Sequence, residues 1–365
     1  MVQAVTRWFL GSSFAFGFSL LAVASCVRAE DSRGEWNQWR GPNRDGISTE
    51  KGLLNSWPEQ GPAIAYSVNG LGTGMASIAI ADGKIFTMGN KDGNTRVVCL
   101  DQQNGEIIWS TPFTQAKSDP HCSPTVDLAS GLVFALSNDG VLVCCKVDGG
   151  QVVWQTSFTQ HLGGKIESSW GYSVGHGIVS YDAKTGTLLW NYDRVANTTA
   201  NIPTPIAKDN YIFCSTGYDD GGTALLEISK SGKKLEAKEV YYKTSQELQN
   251  HHGGMIMIGD YVYMGHGHNN GFPACVEWKT DKNLWEKARG PGSGSAAIVA
   301  AEGKLYFRYQ DGTMALINAT KGRYDLISKF KLPTHNGESW PHPVIAGGKL
   351  FIRDQDELVC FTIGK

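Results

Sequence analysis

Nine histidines stand in this chain of 365 residues. Those that could do chemistry lie mostly in two short runs, His251-His252-Gly-Gly and Gly-His266-Gly-His268-Asn269-Asn-Gly, with His121 and His342 far off on either side. A neutral imidazole donates through one ring nitrogen, accepts through the other, and is a borderline ligand suited to Zn, Cu, Fe or Ni. With Asn and Asp nearby, His121, His252 and His342 could hold a transition metal if the fold brought them together. The alternative is a polar funnel whose imidazoles bond backbone carbonyls and water. Neither run carries a fixed-spacing ligand motif such as HExxH, and no GxSxG, P-loop, GxGxxG or CxxC occurs. Asp354 to Glu357 lacks the EF-hand pattern and its glycine, so a solvated turn is expected there. Any chemistry must therefore be assembled from residues distant in sequence.

The elements that would assemble them are strands. Forty-four Gly, 11 Trp, 13 Tyr and 14 Phe favour a turn-rich all-β protein. Thirty-three Lys and Arg against 35 Asp and Glu leave a net charge of -2, with no basic stripe to neutralise phosphates, so nucleic acid is not an expected partner.

Three stretches share one frame: VVCLDQQNGEIIW ending at Trp109, LVCCKVDGGQVVW at Trp154 and IVSYDAKTGTLLW at Trp190. A fourth, PACVEWKTDKNLW, ends at Trp285, and weaker copies turn at Gly232 and Gly322. The turn positions 105, 150, 186, 232, 281 and 322 step by 36 to 49 residues, the length of one four-stranded propeller blade. Each unit reads as strands a to d, with the Trp of strand d packing between neighbouring blades. The expected fold is a β-propeller of about seven blades over residues 61–365, with the third unit incomplete. Strand 62–67 is expected to pair with the C-terminal blade, after a lead-in of 30–60. Two unrelated sandwich domains are the alternative.

Aligning strand a by its turn puts Met75, His121, Ile202, His252, Ser295 and Trp340 in one register at the mouth of the central channel, beside His251 and His342. The b-to-c connections add Asn90, Asn138, Asp219, His266, His268, Asn269, Gln310 and Gln355 on the same face. Arg308 and Arg353 share the end of strand b. Cys99, Cys144 and Cys275 each lie six residues before a turn, and Cys360 ends the equivalent LVC, which marks a small buried core position. Without Cys26 the cysteines number seven, an odd count that points away from a disulfide scaffold.

The frame AKTG…LLW resembles the PQQ-like, or quinoprotein-type, β-propeller repeat over nearly all of residues 60 to 365. WNQWRGPNRDGIS, NIPTPI, NHHGG and GHGHNNGFP are similar to a bacterial exported subgroup of that family. The resemblance implies a usually eight-bladed propeller, and this chain is short by about one blade between Tyr172 and Val174. It also implies either of two functions, since the family includes PQQ-dependent alcohol and glucose dehydrogenases as well as non-catalytic scaffolds such as the outer-membrane assembly lipoprotein. A vicinal disulfide lies over the cofactor in the alcohol dehydrogenases. Cys144-Cys145 falls within strand c instead, where a structural role is expected.

Residues 1–29 read as an export signal, with Arg7 ahead of an uncharged run and Val27-Arg28-Ala29 as the cleavage site. Val23-Ala24-Ser25-Cys26 alternatively resembles a lipobox that would lipidate Cys26. No later segment is long and apolar enough to span a bilayer. The expected protein is periplasmic or secreted, or else a membrane-tethered lipoprotein. Its His/Asn/Arg-lined face would bind a protein, peptide or glycan. The alternative is a quinoprotein-type or metal-dependent oxidoreductase using that same face, although PQQ with a divalent cation is not the expected cofactor.

Overall fold

The computed structural model describes residues 34–161, 177–218, 220–232, 234–285, 289–338 and 340–365. The export signal, Cys26, Asp219 and residues 168–176 of the third unit lie outside the described residues.

Apart from the four-residue helix α1 (Phe158–His161), the regular structure among the described residues is β. Two strands precede the first repeat, β1 (Ile47–Ser48) and β2 (Ile64–Val68). The first repeat sheet is β3 (Ala79–Ala81), β4 (Lys84–Lys91), β5 (Asn94–Asp101) and β6 (Ile107–Gln115). The second is β7 (Thr125–Asp127), β8 (Leu132–Leu136), β9 (Val141–Lys146) and β10 (Val152–Ser157). Of the third, two strands lie among the described residues, β11 (Ile178–Tyr181) and β12 (Leu188–Tyr192). The fourth is β13 (Ile206–Lys208), β14 (Tyr211–Thr216), β15 (Gly222–Ser231) and β16 (Lys234–Thr244). The fifth is β17 (Asn250–Ile258), β18 (Tyr261–His266), β19 (Phe272–Glu277) and β20 (Lys282–Asn283). The sixth, β21 (Ala296–Ala301), β22 (Lys304–Tyr309), β23 (Thr313–Asn318) and β24 (Leu326–Lys331), takes β1 as a fifth strand. The last is β25 (Val344–Ala346), β26 (Lys349–Asp354) and β27 (Glu357–Thr362), with β2 antiparallel to β27.

These are up-and-down antiparallel sheets, the unit of a β-propeller. The repeat has a packing reason. Gly150 turns at φ +67, and a Cβ there would stand 2.4 Å from Cε3 of Trp109, so the indole of one sheet packs under the turn of the next. Its Nε1 donates to the Val147 carbonyl at 3.0 Å. Tyr66 repeats the arrangement from β2, donating to the Gln102 carbonyl at 2.9 Å, and Trp285 Nε1 donates to the Thr320 carbonyl at 2.8 Å. Trp190 packs half-buried against Val195 and Cys214. Trp154 departs from the expected bridging role, because it is 43% exposed and packs on Phe134 of its own sheet, ring centroids 6.0 Å apart. Trp109→Ala is expected to lower the unfolding free energy by about 3 kcal/mol in urea titrations, and a change below about 0.5 kcal/mol would remove the interlock from the account.

The cysteine register has the same logic. Cys99, Cys144, Cys275 and Cys360 are buried free thiols, each paired across the ladder with an aromatic residue of strand b: Phe86, Phe134, Tyr263 and Phe351. A small residue opposite a ring fills the layer without overpacking it. Cys145 is likewise free and buried within β9.

The lead-in runs along the innermost strands. Trp36 exchanges backbone bonds with Ile80, Val126 N donates to the Asn37 carbonyl while Asn37 Nδ2 donates back to the Val126 carbonyl, and Ala300 donates to Gly46 as β1 joins β21 in parallel. Ser48 Oγ donates to the Ile345 carbonyl, and Arg40, 4% exposed, donates to the carbonyls of Arg44, Asp45 and Met255. Five sheets are thus tied to one segment.

Candidate functional site

The residues that lead into the innermost strands surround a cavity of about 470 Å3, within the range of small-ligand pockets. Met75, His121, Ile202, His252 and Trp340 line it, together with His251, His268, Asn269, Gln310 and His342. Ser295 stands just behind, its Oγ 2.6 Å from His251 Nδ1.

A local distortion makes the histidine pair. Successive side chains of a regular strand point to opposite faces. The register of β17 against β18 shifts between Asn250 and Met255, so His251 and His252 lie in a bulge with ring centroids 4.6 Å apart. The bulge needs its glycines: a Cβ on Gly253 would stand 1.6 Å from the Ala296 carbonyl oxygen, and Gly254 adopts φ +76. Asn250 buttresses it, accepting from Gly254 N at 3.0 Å and donating to the Gly265 carbonyl at 3.0 Å.

The rings form one continuous layer. His251 lies 4.8 Å from Tyr218 and 4.4 Å from His268, while His252 lies 5.3 Å from Trp340. Trp340 in turn stacks on His121 at 6.1 Å and 28°. Asn138 Nδ2, identified as the nitrogen by its bond to the Asp119 carbonyl, donates to His121 Nδ1 at 2.8 Å, which leaves Nε2 of His121 as the N–H donor. His342 Nε2 donates to the His252 carbonyl at 3.1 Å, and its ring lies 4.5 Å from Trp39. Both ring nitrogens of His252 are buried without a hydrogen-bond partner among the described residues.

Burial decides the charge of these rings. It holds His251 and His342 down to about 4, helped at His251 by repulsion from His268 and partly offset at His342 by the His252 carbonyl. Burial, then its neighbours His251 and His342, holds His252 well below the ordinary imidazole range. His121 is lowered by burial against the opposing pull of Asn138 and Asp119. These imidazoles are neutral at pH 7. The unfolded chain takes up protons near pH 6.5 while the folded one does not, so stability is greatest above pH 6.5 and falls as pH drops towards 4. His342 alone is expected to cost about 2 kcal/mol between pH 7 and 5. Urea titrations across that window check this, and a His342→Gln variant should show a shallower slope.

Several expectations need correction. Arg308 and Arg353 are not on the binding face: they are 0% and 1% exposed and are not among the residues that line the cavity. Arg308 donates to the Pro341 carbonyl at 2.8 Å and lies 3.7 Å from Asp354, and Arg353 donates to the carbonyls of Gly72, Ala76, Met88 and Gln355. The segments leading into β3 and β25 have carbonyls without ladder partners, and the guanidinium forks satisfy them. His266 faces a separate depression with Ser245, Gln249 and Phe272, where its Nδ1 accepts from Gln249 N at 3.1 Å. His121, His252 and His342 do not form a metal site: His342 spends Nε2 on a carbonyl, and His121 and His252 flank the Trp340 ring. Among the described residues no three His, Cys, Asp or Glu side chains are grouped to hold a metal ion.

Trp39, Tyr218 and Glu338 also line the cavity and were not expected there. Trp39 belongs to the lead-in, outside the repeat register. Its signal was the aromatic and polar density of WNQWRG directly ahead of the first repeat.

Antiparallel four-stranded sheets with turn-locked tryptophans define a quinoprotein-type β-propeller. The family model described as outer membrane protein assembly factor BamB matches residues 94–324, and the chain belongs to that family. Among solved structures, quinohemoprotein alcohol dehydrogenase from Comamonas testosteroni is similar at 12% identity, covering 92% of this chain and 82% of that one with a TM-score of 0.53. The RRP9 WD40 repeats are similar at 11% identity, covering 83% and 99%, TM-score 0.51. BamB from Moraxella catarrhalis matches at 15% identity, covering 82% and 97%, TM-score 0.46. No curated protein matches. At these identities the likenesses with TM-scores of 0.53 and 0.51 show the fold alone.

A quinone cofactor with its divalent cation asks for carboxylate and amide oxygens and an acidic base. Among the described lining residues Glu338 is the single carboxylate, exposed at the rim, and Cys144 and Cys145 are buried in β9. These side chains do not fit that group.

Proposed function

We propose that this chain is an exported binding module whose ligand, a group on a protein, peptide or glycan, enters the cavity at the mouth of the innermost strands. The observation that carries the reading is His252, whose two buried ring nitrogens have no partner among the described residues. Burying such groups is costly unless something hydrogen-bonds to them, and a bound ligand does so. Two further points support the reading: the family is named for an assembly factor rather than a catalyst, and residues 1–29 read as an export signal. His252→Phe keeps a ring and removes both nitrogens. In a thermal-shift screen, ligands of the wild type should lose their stabilising effect on this variant and on Trp340→Ala. Ligands that raise Tm equally in all three proteins would place binding elsewhere.

A further inference from the structure

Resting on that reading of the cavity, we infer that its ligand is an uncharged saccharide, of mono- or disaccharide size. Three properties of the lining converge on this chemistry. The first is platform area. Trp39, Trp340 and Tyr218 present aromatic rings to a cavity of about 470 Å3, and the C–H-rich face of a pyranose packs on the electron-rich face of such rings.

The second is hydrogen bonding. A sugar hydroxyl donates and accepts at once, so it matches groups that offer both. His121 offers an Nε2–H, because Asn138 donates to its Nδ1. His252 offers one donor and one acceptor, both buried and without a partner among the described residues. The amides of Asn269 and Gln310 line the same space. A purely apolar side chain would cover the indoles but leave these groups unpaired.

The third is charge. No lysine or arginine is among the described lining residues. The nearby guanidiniums of Arg40, Arg308 and Arg353 are buried and bonded to backbone carbonyls. An anion therefore finds no free counter-charge, and burial holds His251 and His252 neutral. Among the described lining residues a cation finds Glu338 alone, exposed at the rim.

The test probes the full chain at pH 7.5 with an array of neutral mono- and oligosaccharides, followed by calorimetric titration. Glucuronate, glucosamine and the peptide Gly-Phe-Gly serve as comparisons. The expected result is saturable binding of a neutral saccharide, with glucuronate and glucosamine weaker by about tenfold or more for want of a counter-charge. His252→Phe should weaken binding by about tenfold, and Trp340→Ala should abolish it. Trp340→Phe retains a platform and should retain part of the affinity, which separates a lost contact from a lost fold. If the peptide or a charged compound binds in a Trp340-dependent way while neutral saccharides do not, the saccharide inference is overturned and the binding reading stands. If none of the probes binds to a wild type with a cooperative melting transition, both are overturned.

Discussion

Arg353→Met is expected to lower the unfolding free energy by about 4 kcal/mol. Arg353 is 1% exposed on β26 and reaches across to the first sheet. Its Nε donates to the Gln355 carbonyl at 3.0 Å, Nη2 to the Gly72 carbonyl at 3.0 Å, and Nη1 to the Ala76 carbonyl at 3.1 Å and Thr87 Oγ1 at 2.6 Å, with Met88 O a further acceptor. Removing the fork leaves buried acceptors unpaired at the joint between the last and first sheets. Arg353→Lys should rescue little, because one ammonium cannot span acceptors spread over that fan. Burial lowers the Arg353 pKa to about 10, so the side chain stays charged at neutral pH. Chemical denaturation of the three proteins checks the prediction. A loss under about 1 kcal/mol for the methionine variant would mean that water or neighbouring groups replace the clasp.

Gly253→Ala is expected to destabilise by about 3 kcal/mol and to separate the histidine pair. The added methyl group would sit 1.6 Å from the Ala296 carbonyl oxygen, which is backbone of β21 and cannot swing away. Relief requires β17 to move off β21, which undoes the bulge that sets His251 beside His252. The His251 imidazole, held at about 4 by burial and by His268, should then titrate closer to its ordinary value in an NMR pH series. An unchanged Tm together with an unchanged His251 titration would rule out the close approach as the cause of the paired rings.

The strands were legible because their signals are local. A hydrophobic run into an acidic turn, a turn glycine and a tryptophan four residues on recur in three of the units, and Trp109 under Gly150 shows the stacking of one sheet on the next that the frame serves. The cysteine positions were legible for the same reason, each being a small residue opposite a ring. Trp154 shows the limit. Its frame matches that of Trp109, but its packing depends on the neighbouring third unit, of which two strands are described, and it lies on its own sheet.

The sequence by itself determined the repeat, the order of strands within the four-stranded sheets and the gathering of strand-leading residues at one mouth, because all three follow from period and register along the chain. Only the tertiary structure decided which of those residues face the cavity. Arg308 and Arg353 share a register with one another, yet both turn to carbonyls that a neighbouring sheet leaves unpaired. His266 is drawn to the Gln249 amide rather than to the other imidazoles, and Trp39 arrives from a segment with no place in the repeat. Side-chain direction at a strand end is set by bulges and by the unmet hydrogen bonds of the adjoining sheet, and neither is written in the residue's own repeat.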